Sequence, residues 1–141
     1  MDLPESEFHR LREVRAGLRQ FLRWSGGEVR AVGLTPAHHE LLLTIKALAD
    51  GSGPSITSVA GELLLAHHSV VELVNRAEAA GHLSRGRDLD DGRVVRLALS
   101  PAGATALARL APHHLEELRR LRLLLRRLED GHPDGESTPY T

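Results

Sequence analysis

Apolar side chains recur three and four residues apart between residues 5 and 31, at Phe8, Leu11, Val14, Leu18, Phe21 and Leu22. That is the spacing of one buried helical face. Arg10, Arg12, Arg15, Arg19 and Arg23 fall largely on the other faces, and Gly26-Gly27 weakens the helix near its end. The next stretch, LTPAHHELLLTIKALAD at 34–50, predicts a second helix. Thr35 is its candidate N-cap, Pro36 suits the first helical position, and His38 stands where a capping box would carry Glu. Leu41, Leu42, Ile45 and Leu48 form its apolar stripe, and DGSGP at 50–54 ends it. Ile56 reads as a very short strand, followed by a helix capped by Thr57 or Ser58 with Val59, Ala60 and Leu63 inward. A break near Leu65-Ala66 precedes a helix over about 68–80, with Ser69 near its start, Val70, Val71, Leu73, Val74 and Ala77 on its apolar side, and Gly81 as its stop.

Beyond Gly81 the period changes. HLSRGRD and RVVRLALS alternate loosely around the turn DLDDG, the pattern of a β-hairpin with a charged tip. SPAGATALARL then opens a long helix, with Ser100 as cap and Pro101 in its first position. Its leucines run from Leu107 to Leu128, and Pro112 inside the run predicts a kink or break. Residues 130–141 read as a flexible tail. The expected fold class is mainly α with a small β-hairpin wing, a winged helix-turn-helix in one domain spanning 1–141. Residues 34–100 form the winged lobe, and the helices at 5–33 and 101–129 form a dimerisation region, because leucine-rich faces of this kind are best buried against a second copy. In this plan the second helix of the pair enters a DNA major groove and the hairpin reaches the adjacent backbone or minor groove.

Composition narrows the chemistry. With 141 residues, 41% of them hydrophobic, the chain can build a core. It has no cysteine, which removes disulfides, thiolate metal sites and cysteine nucleophiles and fits a cytoplasmic protein. The start MDLPESEFHRLREV has no secretory pattern, and no apolar run approaches the ~20 residues of a membrane span. Neither G-x-S-x-G nor G-x-x-x-x-G-K occurs, and Asp90 and Asp91 sit at a solvated hairpin tip, so the chain reads as a non-enzyme. The net charge of −1 gives no global basic field, and residues 54–99 hold five arginines against six acids. Any DNA contact must therefore come from a local patch.

The segments LTPAHHELLLTI, HHSVVELVNRAEAAG and RDLDDGRVVRLALSPAG, in this order and spacing, resemble the MarR-type winged helix-turn-helix transcriptional regulators from about Leu11 to Leu128. The most specific part is Asp91 and Arg93 followed by Leu99, Ser100, Pro101 and Gly103. The resemblance implies a homodimeric regulator, most simply a repressor, that binds double-stranded DNA at a palindromic operator and is relieved by a small-molecule effector. It places His67, His68 and Ser69 at the head of the recognition helix, with Glu72, Asn75 and Arg76 further along. It implies that Arg85 and Arg87 contact phosphates and that Arg93 is the wing arginine, oriented by Asp91. Ala66, Ser84 and Gly92 stand where many relatives carry Arg, and His82 replaces a usual Leu.

The histidine pairs have competing readings. Adjacent helical residues point about 100° apart, so His67 and His68 are poorly placed to grip one metal and better placed to donate to a phosphate or base edge. His38, His39, His113 and His114, with Glu40, Glu116 and Glu117, offer the N/O donors of a zinc-responsive alternative, but without a clear ligand spacing. The expected cofactor and metal content is accordingly none. Phe21, Trp24, His38, His39 and Leu42 are the candidate lining of an effector pocket, against the plainer reading of core and interface packing. Arg119, Arg120, Arg122, Arg126 and Arg127 read as a solvated helix face paired with Glu116 and Glu117. A winged-helix protein-interaction module without DNA binding is the rival from another class.

Overall fold

The computed structural model describes residues 2–130, so the tail expected at 130–141 lies, except for Asp130, outside the described residues. The elements follow as α1 (Glu5–Ala31), α2 (Pro36–Ala47), α3 (Ile56–Leu63), α4 (His67–Ala79), β1 (Leu83–Arg87), β2 (Val95–Leu99) and α5 (Pro101–Glu129). This is the mainly helical, winged helix-turn-helix order that the periodicity predicts. The chain divides into two compact units. One comes from its two ends, up to Glu28 and from Ala111 onward, and the other spans Val29–Leu110.

The central unit is built on local signals that agree with one another. Thr35 caps α2 by accepting from the His38 N–H at 3.1 Å, with Pro36 in the first turn. Leu41, Leu42 and Ile45 of α2 meet Val59 of α3, Val70 and Val74 of α4 and Leu97 of β2 in a core where these side chains are essentially inaccessible. Leu64 closes α3 in the left-handed region at φ 55°, turning the chain into α4 within three residues. At the other end of α4, Gly81 at φ 81° lets the His82 N–H reach the Ala77 carbonyl at 3.0 Å and its own N–H reach Glu78 at 3.0 Å. This paired arrangement satisfies the last free carbonyls of the helix.

The hairpin is antiparallel, in a register that sets Leu83 opposite Leu99 and Arg87 opposite Val95. It is anchored along its outer edge, where the Leu97 N–H donates to the Pro54 carbonyl at 2.9 Å and Ser55 bridges Arg96. Gly53 makes this approach feasible: it sits at φ 90°, and a Cβ there would lie 2.4 Å from the Leu97 carbonyl oxygen. The start of α5 packs equally closely on the turn after α4. Ser100 donates its N–H to the His82 carbonyl at 3.0 Å and caps the helix by accepting from the Gly103 N–H at 3.1 Å.

Three sequence expectations need correction. Ile56 is not a strand but the first residue of α3. The bridge belongs to Ser55, which is also the cap in place of Thr57 or Ser58, accepting from the Ser58 N–H at 3.1 Å. Pro112 does not break α5, which runs without interruption to Glu129. Buried Leu107 and Leu110 before the proline and Leu121 after it hold both halves, offsetting the one missing backbone hydrogen bond. Gly26-Gly27, by contrast, is accommodated within α1, which runs to Ala31 as the spacing predicts.

In the terminal unit, the Trp24 ring lies 4.9 Å from the His114 ring at a tilt of 53°, Phe21 meets that ring edge-on, and Ser25 Oγ lies 2.6 Å from His114 Nε2. Arg120 pairs with Glu117 at 3.0 Å and Glu116 at 3.6 Å, as the solvated-face reading expects. Phe8, Leu11, Leu18 and Leu22 of α1 and Leu115, Leu118 and Leu123 of α5 remain exposed.

Candidate nucleic-acid interface

With Val70, Val74 and Ala77 turned into the core, the 100° step of a helix sends His68, Glu72, Asn75 and Ala79 to the opposite side of α4, and all four are exposed. His67 and Arg76 flank this stripe and are exposed too, whereas Ser69 is half-buried. No side chain caps the start of α4, because the N-cap position is Ala66. The first-turn N–H groups therefore gain no side-chain acceptor there, and they are an electropositive end suited to an anion.

The hairpin carries the remaining expected residues, in a network of which the sequence reveals only the Asp91–Arg93 pair. Arg93 is 92% exposed, and Asp91 holds it from below, accepting from its Nε at 3.1 Å and its Nη2 at 3.4 Å. That contact, together with the Arg93 backbone N–H, holds the Asp91 carboxyl below the usual carboxylate range. Arg87 donates to the Gly92 carbonyl at 2.9 Å, closing the tip across the hairpin. Arg85 turns toward α4, donating from Nε to Glu78 Oε2 at 3.1 Å and from Nη2 to Asn75 Oδ1.

Asp88, which the sequence reading passed over, is the hub of the wing tip. Its Oδ1 accepts from the N–H groups of Asp90 at 2.8 Å and Asp91 at 3.0 Å, and its Oδ2 accepts from Arg96 Nε at 2.9 Å. The available signal was the Asp two residues before a second acid in a turn, since such a side chain bonds its own backbone two residues on. The Asp91 and Asp90 N–H groups, then the Arg96 guanidinium, hold the Asp88 carboxyl below its ordinary range. For a depressed carboxyl, the stabilisation is complete above the unfolded value and is lost as pH falls through the lower folded value. A carboxyl titration followed by NMR should therefore place the Asp88 midpoint below the ordinary ~3.9. A midpoint at or above that value would show that the hub does not persist in solution.

The candidate effector residues divide between the units. Phe21 and Trp24 lie in the terminal unit around His114, while His38, His39 and Leu42 belong to the central one. Leu42 is wholly buried in the core. His38 Nε2 lies 3.1 Å from His82 Nδ1, tying the first turn of α2 to the turn after α4. Burial, and then the neighbouring His82, lower the pKa of His38. Among the described residues, no three His, Asp or Glu side chains come together to hold a metal ion, and no helix is long and apolar enough to cross a membrane.

No family model matches the chain. It is 35% identical over 71 residues to the HTH-type transcriptional regulator TtmR of Methylorubrum extorquens strain PA1; the match covers 48% of this chain but only 36% of that regulator's length. Similar solved structures include AbsC, a MarR family transcriptional regulator from Streptomyces coelicolor, with a TM-score of 0.74 at 22% identity, covering 92% of this chain and 87% of that one. The S. aureus MepR–DNA complex has a TM-score of 0.71 at 16% identity over 92% of this chain and 90% of MepR. E. coli MarR in its apo form has a TM-score of 0.66 at 14% identity over 91% of this chain and 98% of MarR. With the likeness covering 91–92% of its length in these three structures, the chain has the winged helix-turn-helix fold of the MarR-family regulators.

Proposed function

We propose that the chain is a cytoplasmic, sequence-specific DNA-binding transcriptional regulator of the MarR type. In this reading it is a homodimeric repressor relieved by a small-molecule effector. The observation that carries the reading is the exposed stripe His68–Glu72–Asn75–Ala79 on α4, set beside a hairpin whose tip presents Arg93 almost fully to solvent. In a major groove, such a stripe faces base edges while the hairpin meets the backbone. The similarity to TtmR, and to MepR in a complex with DNA, supports the same reading. The exposed leucines of α1 and α5 support pairing with a second copy, which would fix two reading helices on a twofold site. Relief by an effector requires a ligand that binds the DNA-competent and incompetent states unequally.

The direct test is selection of duplexes from a random pool at low and near-physiological salt. An enriched palindrome with half-sites about one helical turn apart is the expected result. Arg93→Ala should weaken binding to cognate and scrambled duplexes alike and reduce the slope of log affinity against log salt by about 0.9. A loss confined to the cognate site would remove Arg93 from the backbone. One observation favours a second reading, a protein-interaction module. Three of the five arginines between residues 54 and 99 are paired with acids, Arg85 with Glu78, Arg93 with Asp91 and Arg96 with Asp88. Failure to bind any duplex at low salt would favour that reading.

A further inference from the structure

We propose that Asn75 selects guanine in the operator because Arg85, positioned by Glu78, claims the carbonyl oxygen of its side-chain amide. The inference rests on the DNA-binding reading above and deepens it. Asn75 lies on the exposed stripe of α4 and Arg85 on β1, where the arginine donates to Asn75 Oδ1 and to Glu78 Oε2. A guanidinium only donates, so the amide orientation is determined: the reversed amide would press its NH2 against the arginine. Glu78 is three residues after Asn75 on the same helix, and its carboxylate draws Arg85 across from the strand at 3.1 Å.

The consequence for recognition follows from the edge that remains. Asparagine reads adenine by offering one acceptor and one donor to N6 and N7 together. Here the oxygen faces a cation. A second lone pair remains on it, but an adenine N6–H2 brought there would sit against the guanidinium charge. The outward surface of the Asn75–Arg85 pair is therefore made of donors alone, and guanine, with acceptors at both N7 and O6, is the base that matches it. Glu72, exposed one turn earlier on the same stripe, supplies a carboxylate of the kind that accepts from cytosine N4.

The test is selection from random duplex DNA with the intact wild-type chain and with Asn75→Ala, Arg85→Met and Glu78→Gln. The position whose preference disappears in Asn75→Ala identifies the base under Asn75. Wild type should carry guanine there, and Arg85→Met should shift the preference toward adenine by on the order of 10-fold. Glu78→Gln should shift it in the same direction by less. A base identity is a readout that general loss of folding does not change in a directed way, and thermal unfolding of each variant confirms that it is folded. Adenine at that position in wild type, or guanine left unchanged in Arg85→Met, would overturn the inference while leaving the regulator reading intact. Absence of any enriched site with the wild-type chain would overturn both.

Discussion

Replacing Gly103 with alanine should destabilise the protein by about 3 kcal/mol and lower its melting temperature by roughly 10 °C. The added Cβ would lie 2.0 Å from the His82 carbonyl oxygen, a backbone atom that cannot swing aside as a side-chain end can. That oxygen already accepts the Ser100 N–H, so the clash forces apart the cap of α5 and the turn that follows α4. The informative control is Gly27→Ala. Gly27 is an exposed position inside α1 with nothing within 4 Å of a new Cβ, and there the same substitution should stabilise by about 0.5–1 kcal/mol. Effects of opposite sign from one chemical change isolate the close approach at Gly103. A melting temperature for Gly103→Ala equal to that of wild type would refute the packing described for α5.

Leu42→Ala should cost about 2–5 kcal/mol, the range for truncating a fully enclosed leucine whose surroundings relax only in part. Leu42 is 0% exposed in the centre of the lobe, whereas its neighbour Leu43 is 51% exposed. Leu43→Ala should therefore stay within about 0.5 kcal/mol of wild type. Denaturant midpoints at unchanged slope measure both. Similar losses for the two would mean that α2 is rotated relative to its described position. The comparison also governs how effector experiments are read. A Leu42 variant that no longer responds to a small molecule would be reporting a damaged core before any lost ligand contact.

Much of this fold was legible along the chain because its signals are local. The three-and-four spacing of α1 and α2, the Thr35-Pro36 start and the Gly81 stop each act within one or two turns of helix. The Leu99-Ser100-Pro101-x-Gly103 segment was legible as a helix start. The reason for its glycine was not, because the carbonyl it must clear is 21 residues earlier in sequence. Ile56 misled because a β-branched residue after Gly and Pro reads as a strand, while the cap that makes it helical is a bond between two serines. Pro112 misled because the local cost of proline is visible in sequence and the burial that offsets it is not. Of the expected interface residues, Asp91 and Arg93 could be named as a pair because they stand two apart, but partners farther off along the chain could not. Asn75 with Arg85, His38 with His82 and Asp88 with Arg96 each join separate parts of the chain, and no periodicity couples them.

The pairing of wing and strand arginines with nearby acids bears on how a regulator of this kind would share itself between targets. A chromosome offers on the order of 10⁶–10⁹ competing non-specific positions, and their hold on a protein is almost wholly electrostatic. With Arg85, Arg93 and Arg96 each facing a carboxylate, that indiscriminate hold would be weaker than unpaired arginines would give. Fewer copies would be stranded on irrelevant sequence, so a modest affinity for the operator could still keep it occupied at low cellular abundance. The trade-off is kinetic: one-dimensional sliding would contribute less, and the operator would be found mainly by repeated encounters from solution.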